Sequence, residues 1–309
     1  MNRIIDVCHD KARLSCKLDN LVIEARDETQ LIPFKDIAAL VLSSQYVLLT
    51  QPVLSSLSCC NVVVIVCDER HIPCGMVLPL SSHYAQAQIF DIQARLSVPS
   101  KKRVWRSLVK AKILAQAKVL TLVHGEDFGL SRMAQEVKSG DTTNVEGKAA
   151  RRYWVSLFHP DFKRDFQSPD ENSLLNYGYA LIRGLVARAL CASGLHPCLG
   201  IHHHHRSNPF ALADDFIEPL RPFVDYQVWC WVSENGIDKG LTREGKVFLL
   251  SRFVDRYAMG GQYRTLFSGL NQMASSFVKV CRGEQIDISI PSPLSFNSLE
   301  GRMGDQCSI

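Results

Sequence analysis

The chain changes its hydrophobic periodicity near residue 84, and this change limits the possible folds more than any other feature. Before that point the apolar residues form short runs rich in β-branched side chains, such as RIIDVC, LVIEA and VVVIVC. Short runs of this kind between polar turns are typical of β-strands. After residue 84 apolar residues recur at helical spacing, as in SLLNYGYALIRGLVARALCASG. We therefore predict an α+β protein, with a small N-terminal β domain over residues 1–83 and a larger all-α domain over residues 84–290.

Local signals refine this division. The pair Asp19 and Asn20 lies between two strand-like runs and predicts a hairpin turn. The stretch 44–60 breaks the β pattern and is compatible with a short helix, whereas the polar, proline-broken stretch 158–172 predicts a loop. Residues 291–309 have little periodicity and predict a loose C-terminal tail.

Composition indicates an ordinary globular protein, because 46% of the 309 residues are apolar and 21% are charged. The N-terminus lacks the apolar core of a signal peptide, and no apolar run approaches the roughly 20 residues needed to span a bilayer. We therefore expect a cytoplasmic protein without a membrane segment. The 11 cysteines include no CxxC pair, which predicts reduced and mostly buried thiols.

A one-signed basic run covers residues 101–118. The segment KKRVWRSLVKAKILAQAK holds seven lysines or arginines and no acid, whereas the whole chain has a net charge of only +4. Such a run is either a solvated helix face or a surface that contacts phosphates.

The stretch GIHHHHRSNPFALADDFIEPLRP at 200–222 concentrates histidines and acids. Successive histidines point in different directions, so the run is a poor zinc cage, and purification tags lie at termini. Asn208 and Pro209 can begin a helix that carries Asp214, Asp215 and Glu218 on one side. Two interpretations remain, a solvated loop beside a helix end or a histidine–carboxylate site for Mg²⁺ or Mn²⁺.

A further carboxylate is available in NVEGKAARRYW at 144–154. Asn144 can cap a helix, which places Glu146 in its first turn near several cations. An acid at that position either compensates the helix dipole or, among cations, contributes to a metal and phosphate site.

Together, NVEGKAARRYW, NSLLNYGYALIRG and GIHHHHRSNPFALADDFIEPLRPFVD closely resemble the integrase of CRISPR adaptation, the Cas-one family, and most of all the version that accompanies the Cas-nine effector in type II systems. The resemblance spans about residues 1–290. It implies a catalytic divalent-metal site of Glu146, His203 and Glu218, with Asp215 as a secondary candidate ligand. His204 and His205 stand where the family varies.

The resemblance also implies the reaction and the partners. Members insert short duplex DNA into a CRISPR repeat by attack of 3′-hydroxyls on phosphodiesters, with Mg²⁺ or Mn²⁺. They act as homodimers that join the small Cas-two partner in a heterohexamer on double-stranded prespacer and repeat DNA. This implies that residues 1–83 serve dimerisation and partner contact, and that residues 84–290 are catalytic.

Several assignments follow from this resemblance with alternatives left open. Asn176 and Tyr177 either line the catalytic cleft or pack between helices. The rival functions are a DNA nuclease without joining activity, a non-catalytic DNA-binding scaffold and a zinc hydrolase built on the histidine run. The cations expected to contact DNA are Lys101, Lys102, Arg103, Arg106, Lys148, Arg151 and Arg152.

Overall fold

A computed structural model describes residues 3–26, 28–79, 83–236, 240–259 and 262–294. The strands are β1 Arg3–Val7, β2 Arg13–Lys17, β3 Asn20–Ala25, β4 Glu28–Pro33, β5 Ile37–Leu42, β6 Leu48–Leu49, β7 Val63–Cys67, β8 Pro73–Val77, β9 Arg256–Met259 and β10 Gln262–Thr265. The helices are α1 Gln51–Cys59, α2 Gln86–Ala94, α3 Val98–His124, α4 Leu130–Gln135, α5 Val145–Leu157, α6 Glu171–Ala192, α7 Ala211–Ile217, α8 Arg221–Asn235, α9 Arg243–Val254 and α10 Leu266–Cys281. This order of a strand-rich region followed by a helical one confirms the predicted fold class.

The strands of the N-terminal region form two four-stranded sheets. In the first, with the order β1-β5-β7-β8, the first three strands are parallel and β8 is antiparallel to β7. In the second, with the order β4-β3-β2-β6, β2, β3 and β4 form an antiparallel meander. The turn between β2 and β3 contains Leu18 and Asp19, both with positive φ, so the predicted hairpin is confirmed.

The first sheet is buried on both faces. Val63 and Ile65 of β7 belong to the core of the helical region, whereas Val62 and Val64 point into a second core between the two sheets. A strand covered on both sides must be almost continuously apolar, which explains the run NVVVIVC. The sheet therefore contributes to the hydrophobic core of the helices.

Two long helices organise the rest of the chain. The 27-residue α3 begins at the N-cap Ser97, whose side chain accepts a hydrogen bond from the Ser100 amide, and ends at Gly125 with a φ of 82°. The helix α6 packs against the first sheet at Gly184, where an added Cβ would lie 2.9 Å from Ile65 Cδ1. No helix in the described part of the chain is long and apolar enough to cross a membrane.

Three features differ from the sequence predictions. A two-stranded hairpin, β9 with β10, interrupts the helical region between α9 and α10. Of the ten cysteines with described side chains, only Cys67 and Cys191 are buried, so the prediction of mostly buried thiols is wrong.

The third difference concerns the predicted loose tail from residue 291. Pro291, Pro293 and Leu294 are buried, and Leu294 is part of the main core. Two hydrogen bonds hold the chain just before this point. The Ser289 amide donates to Ser276 Oγ, and Asp287 accepts a hydrogen bond from Ser107 in α3. The predicted start of the tail is therefore wrong, and its remainder, 295–309, lies outside the described residues.

Replacing Leu294 by alanine tests this docking. Leu294 is 1% exposed, so we expect Leu294→Ala to lower the free energy of unfolding by about 2–5 kcal/mol, the usual cost of such a truncation in a core. Chemical denaturation measures it. The control Ile286→Ala removes an exposed side chain of the same segment and should change stability by less than about 0.5 kcal/mol. Equal effects of the two substitutions would contradict the docking of the segment.

Candidate metal centre

Glu146 is positioned by a tightly capped helix start. Asn144 has a left-handed backbone with a φ of 50°, and its side chain accepts a hydrogen bond from the Gly147 amide. Asp141 accepts from the amides of Val145 and Glu146, at 2.9 and 3.0 Å. These contacts satisfy the first amides of α5, as predicted for Asn144, and fix the backbone from which the Glu146 side chain extends.

Glu218 lies at a change of helix type. The helix α7 stops at Ile217, a 3-10 turn covers Glu218–Leu220, and α8 begins at Arg221. Pro219 and Pro222 stand at the starts of the last two elements, where a missing amide proton costs no hydrogen bond. Glu218 is 5% exposed, so this turn places a carboxylate inside the protein.

Lys112 of α3 joins the two glutamates. Its ammonium nitrogen lies 2.5 Å from Glu146 Oε1 and 2.5 Å from Glu218 Oε2. On the other side, Arg221 Nε donates to Glu218 Oε1 at 2.9 Å. Two acids and two bases thus form one cluster in which Lys112 and Glu218 are buried and Glu146 and Arg221 are half-buried, and this pairing offsets the cost of removing the charges from water.

The electrostatics of this cluster favour the charged forms. Burial raises the pKa of Glu218, but Arg221 and Lys112 outweigh burial and hold that pKa at about 2. Burial lowers the pKa of Lys112, yet the two glutamates raise it above its ordinary value. Both groups are therefore ionised at neutral pH.

Asp215 organises the histidine loop. Its carboxylate accepts hydrogen bonds from the amides of Ile201, His202 and His203, and from His203 Nδ1 at 2.7 Å. Each carboxylate oxygen thus receives two donors, which fills the acceptor sites of the group. Asp215 therefore has no acceptor site left for a metal in this arrangement and holds the loop instead.

His203 is oriented by that contact. With Nδ1 donating to Asp215, the neutral ring keeps its lone pair on Nε2, the arrangement common in metal-binding histidines. The hydrogen bond to Asp215 is also the main reason that the pKa of His203 lies above its ordinary value, against the opposing effect of burial.

The other histidines of the run have different surroundings. The ring of His202 stacks on the buried Trp105 of α3, with centroids 3.9 Å apart and planes at 2°. His204 and His205 are exposed. The turn depends on Gly200, because a Cβ there would lie 2.4 Å from the carbonyl oxygen of His203. Of the four histidines in the run, only His203 has a ring that is oriented by a hydrogen bond to a buried carboxylate.

The histidine loop and the glutamate pair lie along the same side of α3. Trp105 and Lys112 are two helical turns apart, about 10 Å along the axis. Within the described ranges, no three His, Cys, Asp or Glu side chains form a group that could hold a metal ion as placed. Glu146 and Glu218 nevertheless converge on one cation, the Lys112 ammonium, so this pair fits a positively charged ligand.

A further buried acid, Asp225, is linked to the cluster through Tyr179. Asp225 of α8 accepts hydrogen bonds from the hydroxyls of Tyr153 and Tyr179, and burial raises its pKa to about 7. The Arg221 guanidinium lies over the Tyr179 ring, 4.6 Å from its centroid. The Tyr179 ring thus helps to hold the arginine that binds Glu218.

The expected DNA-contacting cations lie at the surface. Lys102, Arg103, Lys148 and Arg151 are exposed, and Lys101 is half-buried. Arg106 and Arg152 also make structural contacts, since they donate to the carbonyls of Val137 and Phe128.

The structure corrects two sequence-based interpretations and decides between the two alternatives for Asn176 and Tyr177. Lys112 belongs to the basic run 101–118, but it is buried and so is not part of a phosphate-contacting surface. The helix predicted to start at Pro209 begins at Ala211, because Asn208 accepts from the Phe210 amide in a turn before it. Tyr177 is fully buried with the Lys246 ammonium 5.9 Å from its ring centroid, and Asn176 is bonded by Arg164, so the packing interpretation of both holds.

Sequence reasoning missed Lys112 and Arg221. Lys112 stands in the apolar stripe of α3, four residues after Leu108 and three after Val109, where a charge requires a buried partner. That spacing could have identified it. Arg221 has no such signal, because a lone arginine three residues after a glutamate is common on solvated helices.

Several solved structures have the same fold as this chain. A casposase bound to an integration product has a TM-score of 0.76 at 18% identity, covering 99% of this chain and 96% of that one. A Cas6-RT-Cas1–Cas2 complex has a TM-score of 0.73 at 19% identity, covering 97% of this chain and 36% of that one. The two-sheet region and the helical region together are thus the architecture shared by Cas1 and casposase chains.

Sequence comparison identifies the family. The profile described as "CRISPR associated protein Cas1" matches residues 6–256. The CRISPR-associated endonuclease Cas1 of Neisseria meningitidis serogroup C (strain 8013) is 37% identical over 268 residues, covering 86% of this chain and 88% of the relative. The chain belongs to the Cas1 family, and the predicted family resemblance is confirmed.

Replacing Asp215 by asparagine tests its role in the loop. The amide keeps one acceptor oxygen but turns a donor toward backbone amides, so we expect a loss of stability of about 1–3 kcal/mol. The pKa of His203 should also fall, because its main stabilising partner loses its charge. NMR titration of the ring measures this. Asp214→Asn is the control and should lower that pKa less, because the Asp214 charge is a smaller cause of the raised His203 pKa and its side chain is bonded by Arg183 and Asn208 instead. An unchanged His203 pKa in Asp215→Asn would contradict the assignment.

Proposed function

We propose that this protein is a divalent-metal-dependent DNA integrase that inserts short duplex DNA into a CRISPR repeat array during spacer acquisition. The observation that carries the proposal is the convergence of Glu146 and Glu218, from separate elements, on one buried cation position, with an oriented histidine along the same side of α3. Membership of the Cas1 family and likeness to a casposase bound to an integration product support the same reaction.

Three side chains of the candidate metal centre are proposed as the metal ligands. Glu146, Glu218 and His203, through Nε2, would hold Mg²⁺ or Mn²⁺, since carboxylate and imidazole donors suit these ions. When bound, the ion would polarise the phosphodiester and lower the pKa of the attacking 3′-hydroxyl. Asp215 keeps the His203 ring in the tautomer that offers Nε2, and Arg221 keeps Glu218 ionised.

The cations have a different role. The exposed lysines and arginines at the start of α3 and along α5 would bind backbone phosphates, which holds DNA without reading its sequence. Those of α5 follow Glu146 within two turns, so phosphate binding and the acidic site share one helix.

The partners follow from the family. We propose that the protein acts in the cytoplasm as a homodimer, and that two such dimers flank a dimer of the small Cas2 protein in a heterohexamer on prespacer and repeat DNA. Residues 1–83 would serve dimerisation and partner contact. A structurally similar chain that occurs in a Cas1–Cas2 complex supports this assembly.

A DNA nuclease without joining activity is the second candidate, because the relative from Neisseria meningitidis is named an endonuclease. The same metal ligands would serve hydrolysis by water and transesterification by a 3′-hydroxyl. An assay with a labelled short duplex, a repeat-bearing plasmid and the cognate small partner separates the two, because joining transfers the label to the plasmid and hydrolysis does not.

Removing Glu146 should abolish joining and spare DNA binding. Glu146→Ala deletes a proposed metal ligand, whereas affinity for duplex DNA comes from many phosphate contacts. We expect joining near background with Mn²⁺ and a dissociation constant for duplex DNA within about threefold of the wild type. Glu126→Ala, on the loop after α3, is the control and should join normally. Joining by Glu146→Ala at near wild-type rate would exclude the proposed site.

Neutralising Lys101, Lys102 and Arg103 with glutamine should weaken DNA binding and its salt dependence. Each lost phosphate contact should reduce the slope of log affinity against log salt by roughly 0.9. Arg106 is left intact because it bonds the Val137 carbonyl. Fluorescence anisotropy across a salt series measures the slope.

The matched control removes the same charge elsewhere. Lys11, Lys17 and Lys35 are exposed in the N-terminal region, and their replacement by glutamine should leave the slope nearly unchanged. If both triple variants shift the slope equally, net charge alone explains the effect and the start of α3 is not a specific phosphate surface.

A further inference from the structure

Lys112 occupies the position on which the two proposed metal ligands converge. Its side chain stands on the buried face of α3. Leu108, one turn before it, and Ile113, the next residue, are both fully buried. Only its ammonium reaches polar atoms, one oxygen of Glu146 and one of Glu218. A lysine in the apolar stripe of a helix is costly to bury and needs such partners to be stable.

Glu218 is saturated by cations in this arrangement. One oxygen accepts from Lys112 and the other from Arg221. A divalent ion held by Glu218 would therefore share that carboxylate with two positive charges in a buried, weakly screened position. At least one of these cations has to move if the ion is to bind well.

Lys112 is the cation able to move. Arg221 stands three residues after Glu218 at the start of α8, so the helix fixes its place beside that carboxylate. The Tyr179 ring lies beneath its guanidinium and restricts it further. Lys112 is a point charge on a flexible four-carbon stem and has no ring contact among those found in the described residues. Among the described residues, its hydrogen bonds to the two carboxylates are also the only ones that join Glu146 to Glu218.

We propose that Lys112 is a displaceable counter-ion, which holds Glu146 and Glu218 together before metal binds and gives way when a divalent ion enters between them. The inference rests on the proposed function, because it concerns the same two glutamates. Lys112 is thus a positioning residue that sets metal affinity, and the metal replaces the ammonium without leaving the carboxylates uncompensated at any stage.

Metal affinity of the DNA-free protein tests the proposal. Lys112→Met keeps the stem and removes the charge, so the dissociation constant for Mn²⁺, measured by electron paramagnetic resonance of the free ion, should fall about tenfold or more. Lys112→Arg keeps the charge and Lys118→Met removes a half-buried lysine of the same helix, so both should stay within about threefold of the wild type. In EDTA, Lys112→Met should also have the lowest melting temperature and gain most from added Mn²⁺.

A measurement on the wild-type protein covers the case in which Lys112→Met fails to fold. With ¹³C-labelled lysine ε-carbons, the Lys112 signal, assigned by its loss in Lys112→Arg, should shift on addition of Mg²⁺. Glu146→Ala should abolish that shift. An unchanged signal at saturating Mg²⁺ overturns the proposal.

The outcomes separate this proposal from the proposed function. If the wild type binds Mn²⁺ and Lys112→Met binds it equally or more weakly, the counter-ion proposal is wrong and the metal site stands. If neither protein binds Mn²⁺ at millimolar concentration, both proposals are wrong.

Discussion

The buried Glu218 and the half-buried Glu146 can lie side by side in this protein because a lysine and an arginine neutralise them. Glu146 and Glu218 come from chain segments far apart, and each would repel the other without Lys112 between them. The capped start of α5, the 3-10 turn before α8 and the long α3 all contribute one charge to this cluster. Its need for charge balance links the local geometry of three elements to the chemistry of the site.

Much of the fold could be predicted because its signals are local. The runs that form β1, β3 and β7 are rich in β-branched residues, and α3 and α6 repeat apolar residues at helical spacing. The strand β8 was missed because PCGMV contains proline and glycine and lies at a sheet edge. The burial of Leu294 was missed because a docked segment without regular structure has no periodic pattern.

The sequence predicted which residues form the candidate site better than it predicted the contacts among them. The motif resemblance named Glu146, His203 and Glu218, and the cap at Asn144 followed from residue type. Asp215 could be read as a ligand or as a support, and only the four hydrogen bonds it receives decide for the support. The apolar stripe of α3 indicates that Lys112 is buried, but its partners Glu146 and Glu218 follow only from tertiary packing.

Some partners of the helix α3 come from late in the chain, which affects the order of folding. Lys112 meets Glu218, 106 residues further on, and Ser107 bonds Asp287, 180 residues further on. Contacts over such separations form slowly, because long loops must close first. During synthesis, α4 and α5 can pack on α3 early, but the parts of α3 that meet Glu218 and Asp287 stay uncovered until most of the protein has left the ribosome. An incomplete chain therefore carries the basic start of α3 and Glu146 but lacks Glu218, which completes the acidic pair.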